Sequence, residues 1–360
     1  MKKKKVIIAG GGTGGHLYPA LVVAKEMRKR EPGLEVIFVG TGRETEKKII
    51  NHYGNKLIVL RIEGLKRRKV SQIIKTLFLI PRAMVDSFKI IKKLKPNLVM
   101  GAGGYSSGPV VLTAALMKIP TLILEQNLRP GLTNRLLKPW VKKVFLSFES
   151  SKHYFKKKGI YTGNPVRDEF YTIKKKERNK KLSLLIFGGS QGAHIINQTV
   201  VQALSLLDQE KQNLRIFHQT GEKDFNWVKE SYHQLGIEAM VSSFFFDIYK
   251  YFEKSDILIC RAGASTLAEL IASRKAAILI PFARAANNHQ ELNALESKKY
   301  GAAEVILEKE LTGELLAKRI LYLLKNPDRI NEMEENIARL RVENPAGRIA
   351  MMSLRIMEDR

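Results

Sequence analysis

Two glycine-rich segments constrain the fold of this chain more strongly than any other feature. Each follows a short apolar run and precedes an amphipathic stretch: residues 10–16 follow the run 6–9, and residues 188–193 follow the run 184–187. Glycine adopts positive φ and lets the backbone approach a ligand closely, and the N–H groups at a helix N-terminus favour phosphate. The two segments therefore predict a phosphate-containing ligand held between two α/β domains.

The first segment also contains the Gly-x-Gly-x-x-Gly pattern of dinucleotide-binding folds. A nicotinamide site requires an acidic residue at the end of the second strand, where it binds the ribose hydroxyls. The apolar run 36–39 is followed instead by Gly40, Thr41 and Gly42. NAD binding is therefore disfavoured, and a tight turn without a ligand is the alternative that this loop leaves open.

Length and cysteine content restrict the class of protein. A chain of 360 residues exceeds what one hydrophobic core usually supports, so two domains are expected. The only cysteine, Cys260, excludes a disulfide framework and a cysteine-based metal site, and it fits a reducing cytoplasm. The apolar run 6–9 leads into glycines rather than a cleavage site, and no apolar stretch approaches the roughly 18 residues that span a bilayer.

The net charge of +27 predicts a polyanionic partner, which is a nucleic acid, an anionic membrane or a phosphorylated substrate. Within 66–95, cations interleave with apolar residues that recur at the spacing of one helical face. Basic residues on both sides of this stripe favour a membrane-docking helix over 70–84. The alternative is an ordinary core helix with a solvated basic face. The stripe consists of Val70, Ile73, Ile74, Leu77 and Phe78.

Short apolar runs separated by helical patterns fill the rest of the chain. Runs without polar alternation are typical of strands buried on both faces of a parallel sheet. The expected fold class is therefore α/β, with a doubly wound parallel sheet in each half and ligand-binding loops at the carboxyl ends of the strands. A hinge is predicted at 163–165 and a final helix at 346–357. The runs lie at 57–61, 98–101, 121–124, 143–147, 215–219, 257–260 and 277–280.

Six loop segments carry sequences more specific than their glycine content. They are GGGTGGHLYPA (10–20), GAGGYSSGP (101–109), EQNLRPGLTNR (125–135), GNPVR (163–167), GGSQGAHIIN (188–197) and RAGASTLAE (261–269). Together, in order along nearly the whole chain, they resemble the MurG family, the UDP-GlcNAc:undecaprenyl-diphospho-muramoyl-pentapeptide N-acetylglucosaminyltransferases of peptidoglycan synthesis. Any one segment could match by chance, whereas six are highly specific.

The resemblance implies a GT-B glycosyltransferase fold, in which two Rossmann-like domains with parallel sheets face each other across a cleft. Residues 1–163, joined by a C-terminal helix at about 346–360, would form the acceptor domain that faces the membrane. Residues 164–345 would form the UDP-GlcNAc-binding domain. The implied enzyme is an inverting hexosyltransferase that moves GlcNAc from UDP-GlcNAc to the C4 hydroxyl of MurNAc in undecaprenyl-linked lipid I, giving lipid II.

The resemblance also implies a cellular setting. The protein would lie peripherally on the cytoplasmic face of the cell membrane, bind its anionic lipid surface and meet other cell-wall synthesis proteins there. Cell-wall biogenesis, cell shape and cell division would depend on its product. No nucleic acid is implied as a partner.

The resemblance assigns the donor site residue by residue. It places Arg167 at the phosphates, Glu269 at both ribose hydroxyls, the backbone of Phe245 at the uracil edge and Gln290 at the GlcNAc hydroxyls. The alternatives are a surface ion pair for Arg167, and a helix-starting capping box for Thr266 and Glu269. The full set is Thr13, Gly14, Gly15, Asn127, Arg167, Ser190, Phe245, Ala264, Ser265, Thr266, Leu267, Ala268, Glu269 and Gln290.

On the acceptor side, the reaction requires a base near the C4 hydroxyl. His16 is the first candidate because it ends the first glycine loop and histidine exchanges protons near neutral pH. Glu125 is the second candidate. A histidine that only packs at the start of the helix or binds phosphate is the alternative. The acceptor diphosphate is assigned to Gly103, Gly104, Tyr105 and Ser106.

Transfer from UDP requires stabilisation of the departing diphosphate, which many transferases achieve with a carboxylate-bound metal. This sequence contains no Asp-x-Asp pair, so helix N-termini and an arginine are expected to act instead, without a metal or another cofactor. Two other functions stay open. One is a UDP-sugar 2-epimerase on the same fold, and the other is a basic, nucleotide-regulated nucleic-acid-binding protein, which only the charge supports.

Overall fold

The computed structural model describes residues 3–11, 14–60, 70–175 and 181–359, with side chains throughout these ranges except at 45 and 70–80. The described chain forms two units. The first comprises the residues up to Arg167 together with those from Val342 onward, and the second comprises Asp168–Arg341. The predicted boundaries after 163 and 345 both fall inside the first unit, close to these junctions.

The first unit is built on a seven-stranded parallel sheet with the order β3-β2-β1-β4-β5-β6-β7. Its strands are β1 (Lys5–Gly10), β2 (Glu35–Gly40), β3 (Lys56–Val59), β4 (Leu98–Gly103), β5 (Thr121–Glu125), β6 (Lys143–Leu146) and β7 (Gly159–Tyr161). The helices between them are α1 (Gly14–Arg30), α2 (Glu44–His52), α3 (Val70–Leu94), α4 (Ser107–Leu116), α5 (Leu132–Leu137) and α6 (Lys152–Phe155).

The second unit is built on a six-stranded parallel sheet with the order β10-β9-β8-β11-β12-β13. Its strands are β8 (Leu182–Phe187), β9 (Leu214–Gln219), β10 (Ala239–Ser242), β11 (Ile257–Cys260), β12 (Ala276–Leu279) and β13 (Glu304–Val305). Its helices are α7 (Asp168–Tyr171), α8 (His194–Ser205), α9 (Phe225–Gln234), α10 (Ile248–Lys254), α11 (Ala264–Ser273), α12 (His289–Lys299), α13 (Gly313–Lys325) and α14 (Pro327–Ala338). The final helix, α15 (Pro345–Glu358), belongs to the first unit.

Helices cover both faces of the first sheet, and this explains why its strands lack polar alternation. On β1, Val6 and Ile8 enter one core, and Ile7 and Ala9 enter the other. The first core includes buried side chains of α1 and α15, and the second includes those of α3 and α4. Every strand that the apolar runs predict is present, with ends that differ by two residues or fewer. The predicted doubly wound parallel sheets are therefore confirmed.

The predicted membrane-docking segment is helical, because it lies within α3. The stripe itself, Val70, Ile73, Ile74, Leu77 and Phe78, lies outside the described side chains. Across the described ranges, none of the helices is long and apolar enough to cross a membrane.

Candidate active site

The candidate residues lie on loops that follow parallel strands at their carboxyl ends. In the first unit these loops follow β1, β4, β5 and β7, and in the second unit they follow β8, β10, β11 and β12. The strand order of each sheet reverses between neighbours that both carry such loops, β1 with β4 and β8 with β11. Ligands of open α/β sheets bind at this kind of reversal.

An acidic side chain from α2, the helix that follows β2, lies at the carboxyl end of β2. Glu46, on α2, is 1% exposed, and its carboxylate accepts hydrogen bonds from the N–H groups of Thr41 and Gly42 at 3.0 Å. It also fills the space beside Gly11 and Gly40, where a Cβ would overlap it. A carboxylate that is buried and bonded in this way is not available to ribose hydroxyls, and the sequence did not single out this residue.

The first glycine loop leads directly into α1. Gly14 and Gly15 begin the helix, and His16 follows in its first turn, partly exposed. Thr13, the remaining donor-site prediction in this loop, lies outside the described residues.

His16 is held by a glutamine that the sequence did not identify. The His16 Nδ1 atom lies 3.1 Å from Oε1 of Gln126, and Nε2 of Gln126 donates to the Ala102 carbonyl at 3.0 Å. Gln126 is 2% exposed. Gly103 has a φ of +101°, and a Cβ there would lie 2.7 Å from His16 Nδ1. The glycine therefore gives the imidazole ring its space, and the glutamine sets the orientation of the ring.

Glu125, the second candidate base, ends β5 and is 2% exposed. Its carboxylate accepts from the Asn127 N–H at 3.0 Å, the Gly131 N–H at 3.1 Å and Asn134 Nδ2 at 2.8 Å. Burial raises the pKa of Glu125 to about 7, against the opposing effect of these hydrogen bonds. The bonds make Glu125 the anchor of the loop that carries Asn127, while its role as a base stays a prediction.

The predicted acceptor-diphosphate residues lie at the end of β4 and in the segment that leads into α4. Gly104 has a φ of +80°, and a Cβ there would lie 2.7 Å from the Gly11 carbonyl oxygen, so this loop packs on the first glycine loop. The Ser106 side chain is buried just before α4, and its hydroxyl has no hydrogen-bond partner among the described residues. Tyr105 is partly exposed beside it, and burial raises the pKa of its phenol. The N-terminus of α4 suits a phosphate group, because its backbone N–H groups have no partner within the helix.

Arg167 is the last residue of the first unit before the chain enters the second. Its guanidinium carbon lies 5.1 Å from the centre of the Tyr18 ring on α1. The aromatic ring therefore orients the charge near the first turn of α1.

In the second unit, the second glycine loop connects β8 to α8 and packs on the segment after β9. Gly189 and Gly192 have φ values of +97° and +71°. A Cβ at Gly192 would overlap the Thr220 carbonyl oxygen, whereas a Cβ at Gly189 would meet no atom within 4 Å. Ser190 is exposed at the tip of the loop. The geometry leaves one side of this loop open to a ligand.

Helix α11, which follows the loop after β11, begins earlier than a capping box formed by Thr266 and Glu269 would require. The helix starts at Ala264, and its N-cap is Gly263, which makes no side-chain cap hydrogen bond. Thr266 lies inside the helix, so the capping-box alternative is wrong. Ser265 and Thr266 are partly exposed in the first turn of α11, and Glu269 is partly exposed one turn later. Ala264, Leu267 and Ala268 are buried.

The backbone N–H of Phe245, the predicted uracil-reading residue, donates to Oε1 of Gln219 at 2.8 Å. The Phe245 ring is 6% exposed and stacks on Tyr251 with the ring centres 3.9 Å apart. Phe246, next in the chain, is 80% exposed. The Phe245 side chain is thus part of the core. Any contact between Phe245 and the uracil would be made by its backbone.

Gln290, in the first turn of α12, is bonded to the loop after β12. Its Oε1 accepts from the Phe282 N–H at 3.1 Å. A partly buried ion pair between Arg261 and Glu308 supports the same loop, since Glu308 also accepts from the Ala283 N–H at 2.9 Å. Glu308 could not be identified from the sequence, because it lies 25 residues beyond Ala283 along the chain. Across the described ranges, no group of three or more His, Cys, Asp or Glu side chains could hold a metal ion.

Comparison with known proteins assigns this pair of units to a class. Residues 6–146 match the glycosyltransferase family 28 N-terminal domain, and residues 183–349 match the family 28 C-terminal domain. A relative from Syntrophus aciditrophicus is 46% identical over 93% of this chain and 94% of its own length, and is named "UDP-N-acetylglucosamine--N-acetylmuramyl-(pentapeptide) pyrophosphoryl-undecaprenol N-acetylglucosamine transferase". The chain therefore belongs to glycosyltransferase family 28 and, within it, to the MurG family.

Solved structures agree with this assignment. The crystal structure of MurG from Acinetobacter baumannii is 29% identical and superposes with a TM-score of 0.80 over 98% of this chain and 99% of its own. The predicted GT-B fold class is thereby confirmed. A putative UDP-N-acetylglucosamine 2-epimerase from Listeria monocytogenes superposes with a TM-score of 0.66 over 97% of this chain and 95% of its own at 14% identity, which shows a shared fold alone.

Proposed function

We propose that this protein transfers GlcNAc from UDP-GlcNAc to the C4 hydroxyl of MurNAc in undecaprenyl-linked lipid I, giving lipid II for peptidoglycan synthesis. The observation that carries this proposal is the 46% identity to a curated transferase of this activity over nearly the whole of both chains. The epimerase alternative rests on fold likeness at 14% identity, and the nucleic-acid alternative rests on charge alone.

The second unit supplies the donor side of the reaction. The loop 188–193 and the first turn of α11 follow neighbouring strands, and both present backbone N–H groups at the start of a helix. Such groups stabilise the negative charge that develops on a departing diphosphate. Glu269, partly exposed one turn into α11, has the two acceptor oxygens that vicinal ribose hydroxyls require. This arrangement supports UDP as the leaving group.

The first unit supplies the base. Because Nε2 of Gln126 donates to a carbonyl, its Oε1 is the atom that faces His16. A carbonyl oxygen only accepts, so the neutral imidazole carries its proton on Nδ1 and its lone pair on Nε2. A fixed tautomer of this kind suits a general base.

The proposed reaction is one in-line displacement. The bond between C1 of GlcNAc and the β-phosphate oxygen breaks, and the bond between C1 and the acceptor O4 forms on the opposite face. The proton of the C4 hydroxyl passes to Nε2 of His16, and UDP departs with the electron pair of the broken bond. A single displacement inverts the α-linked donor to a β-1,4 product.

We further propose that the first unit docks on the cytoplasmic face of the membrane. Large apolar side chains are exposed on α3, α4 and α5 and in the turn after α5, and α3 packs on α4 and α4 packs on α5. Exposed cations flank them at Arg82, Lys89, Lys118 and Arg135. An exposed apolar patch with a basic border fits an anionic lipid surface, where the acceptor is anchored. The apolar residues are Val85, Phe88, Leu116, Leu132, Leu136 and Trp140, 45% to 66% exposed.

The activity is tested with the purified protein, UDP-GlcNAc labelled in the sugar, and a short-chain lipid I analogue. The expected product is the labelled disaccharide lipid, with one UDP released per transfer. Formation of UDP-ManNAc without an acceptor would instead identify an epimerase. Absence of both products with protein that binds UDP would contradict the proposal.

A further inference from the structure

Gln219 joins two loops of the second unit through the two ends of one amide group. It is the last residue of β9 and is 3% exposed. Its Nε2 donates to the Gly189 carbonyl at 3.0 Å, and its Oε1 accepts from the Phe245 N–H at 2.8 Å. These partners lie 30 and 26 residues away along the chain, in the loops 188–193 and 242–246. A single buried side chain therefore bridges both loops.

The chemistry of the two partners fixes the orientation of the amide. One partner is a carbonyl, which only accepts, and the other is an N–H, which only donates. A carboxylate at this position could satisfy the N–H but would face the Gly189 carbonyl with a second acceptor. A methionine side chain of similar length could satisfy neither. Among side chains of this length, glutamine is suited to both partners at neutral pH.

The two residues after Gln219 contact the same two loops. The N–H of Thr220 donates to the Ser242 carbonyl at 3.0 Å, and the N–H of Gly221 donates to the Ser243 carbonyl at 3.1 Å. On the other side, the Thr220 carbonyl packs so closely on Gly192 that a Cβ there would overlap it. The segment 219–221 thus forms a common support, and Gln219 provides its side-chain link.

We propose that Gln219 is a positioning residue that fixes the distance between the diphosphate-binding loop 188–193 and the base-reading loop 242–246. This inference rests on the proposed function, because that function assigns a nucleoside diphosphate to the two loops. A pyrimidine and a diphosphate joined by one ribose must reach both loops at once. Gln219 therefore contributes to affinity and to base selectivity without touching the nucleotide.

The decisive variants are Gln219→Met and Gln219→Glu, with Gln234→Met as the matched control. Gln234 is an exposed residue of α9 whose amide donates to Glu230, one turn away. Calorimetry would measure Kd for UDP and for CDP. Hydrogen exchange without ligand would follow the amides of 188–193 and 242–246. Thermal unfolding would report whether each variant is folded.

Gln219→Met is expected to raise Kd for UDP by about 10- to 100-fold, as the loss of two buried hydrogen bonds implies. The preference for UDP over CDP should shrink, and amide exchange should accelerate in both loops. The maximal turnover at saturating UDP-GlcNAc should change by less than about threefold, because the bound geometry of the reacting atoms is unaltered. Gln234→Met should leave the Kd for UDP, the preference for UDP over CDP, amide exchange in both loops and the maximal turnover unchanged.

Gln219→Glu adds a readout that a merely structural role would not produce. Its protonated carboxyl can donate through O–H and accept through C=O, so it restores both bonds, whereas the carboxylate restores one. The ratio of variant to wild-type Kd for UDP should therefore fall towards one as the pH is lowered from 8 to 5. Should Gln219→Met fail to fold, this pH dependence decides the question.

Three outcomes would overturn the inference. They are unchanged exchange in Gln219→Met, acceleration in only one loop, and tighter UDP binding, which would mean that Gln219 competes with the nucleotide for the Phe245 N–H. Failure of the wild type to bind UDP would contradict the proposed function instead. The exchange experiment would still test the bridge in that case, because it contains no ligand.

Discussion

The Nδ1 atom of His16 lies 3.1 Å from Oε1 of Gln126, and this contact determines which imidazole nitrogen can accept a proton. The second bond of the glutamine, to the Ala102 carbonyl, prevents the amide from turning over. The neutral ring therefore presents its lone pair at Nε2. Under the proposed role of His16 as the base, Gln126 would act on the reaction by fixing the tautomer of His16.

His16→Ala should lower turnover by about 10²- to 10⁴-fold if His16 is the base, with little effect on the affinity for UDP-GlcNAc. Gln126→Glu should keep the tautomer but place a carboxylate beside the Nδ1 proton. That charge stabilises the imidazolium, so the acid limb of the turnover profile should move to higher pH by about one pH unit. Turnover as a function of pH measures both effects. If His16→Ala retains normal turnover, Glu125 becomes the candidate.

The buried carboxyl of Glu125 predicts a pH dependence of stability. Its folded-state pKa of about 7 lies above the ordinary value of 4.5, so the folded protein retains a proton that the unfolded chain releases between these values. The stabilising contribution is fully present below about pH 4.5 and is lost as the pH rises through 7. We expect a loss of up to about 3 kcal/mol over this window.

Chemical unfolding of the wild type and Glu125→Gln at several pH values tests this expectation. The difference between their free energies of unfolding should change with pH, because glutamine does not titrate. Glu149→Gln is the control, since the Glu149 side chain is 67% exposed in a nearby turn. A constant difference between wild type and Glu125→Gln would show that the carboxyl does not titrate on unfolding.

Arg167→Ala should weaken UDP binding by about 10- to 100-fold, since a charge-assisted bond to phosphate is lost. Arg167→Lys should retain part of the affinity, because an ammonium keeps the charge but cannot bind phosphate through a planar fork. Calorimetry with UDP is the measurement, and Arg215→Ala, at an exposed site on β9, is the control. Equal affinity for UDP in Arg167→Ala would show that the arginine does not contribute to nucleotide binding.

Transfer should persist in excess EDTA to within about a factor of two, because helix N-termini and an arginine are expected to stabilise the diphosphate. The sequence motivates this prediction through its lack of an Asp-x-Asp pair. The initial rate of transfer before and after chelation is the measurement. Loss of the chemical step that magnesium or manganese restores would contradict it.

The sequence predicted the parts of the fold that burial on both faces dictates. Strands such as β8 and β11 have unbroken apolar runs because helices cover both sides of the sheet, whereas β7, β10 and β13 were missed because they are short and only partly buried. The side chains that support the site could not be predicted. Gln126, Gln219 and Glu46 act on partners brought near by the fold, and single polar residues have no periodicity to mark them.

The last prediction concerns membrane docking, motivated by the exposed apolar patch formed by α3, α4, α5 and the turn after α5. Leu136 and Trp140 are 66% and 51% exposed, so replacing both with serine should not disturb the core. Burying such side chains in lipid contributes about 1.5–3 kcal/mol each, and each nearby cation adds about 1 kcal/mol on anionic lipid. The double variant should therefore lose at least about tenfold in affinity for anionic vesicles while keeping its affinity for UDP-GlcNAc.

Co-sedimentation with vesicles of anionic and of neutral lipid measures this effect. The control variant replaces Leu206 and Tyr322, which are 49% and 43% exposed in the second unit, with serine. The control should bind anionic vesicles like the wild type, and high salt should weaken binding of both because it screens the cations. If the Leu136 and Trp140 variant is folded and still sediments like the wild type, the docking surface lies elsewhere, because the remaining cations alone would bind loosely.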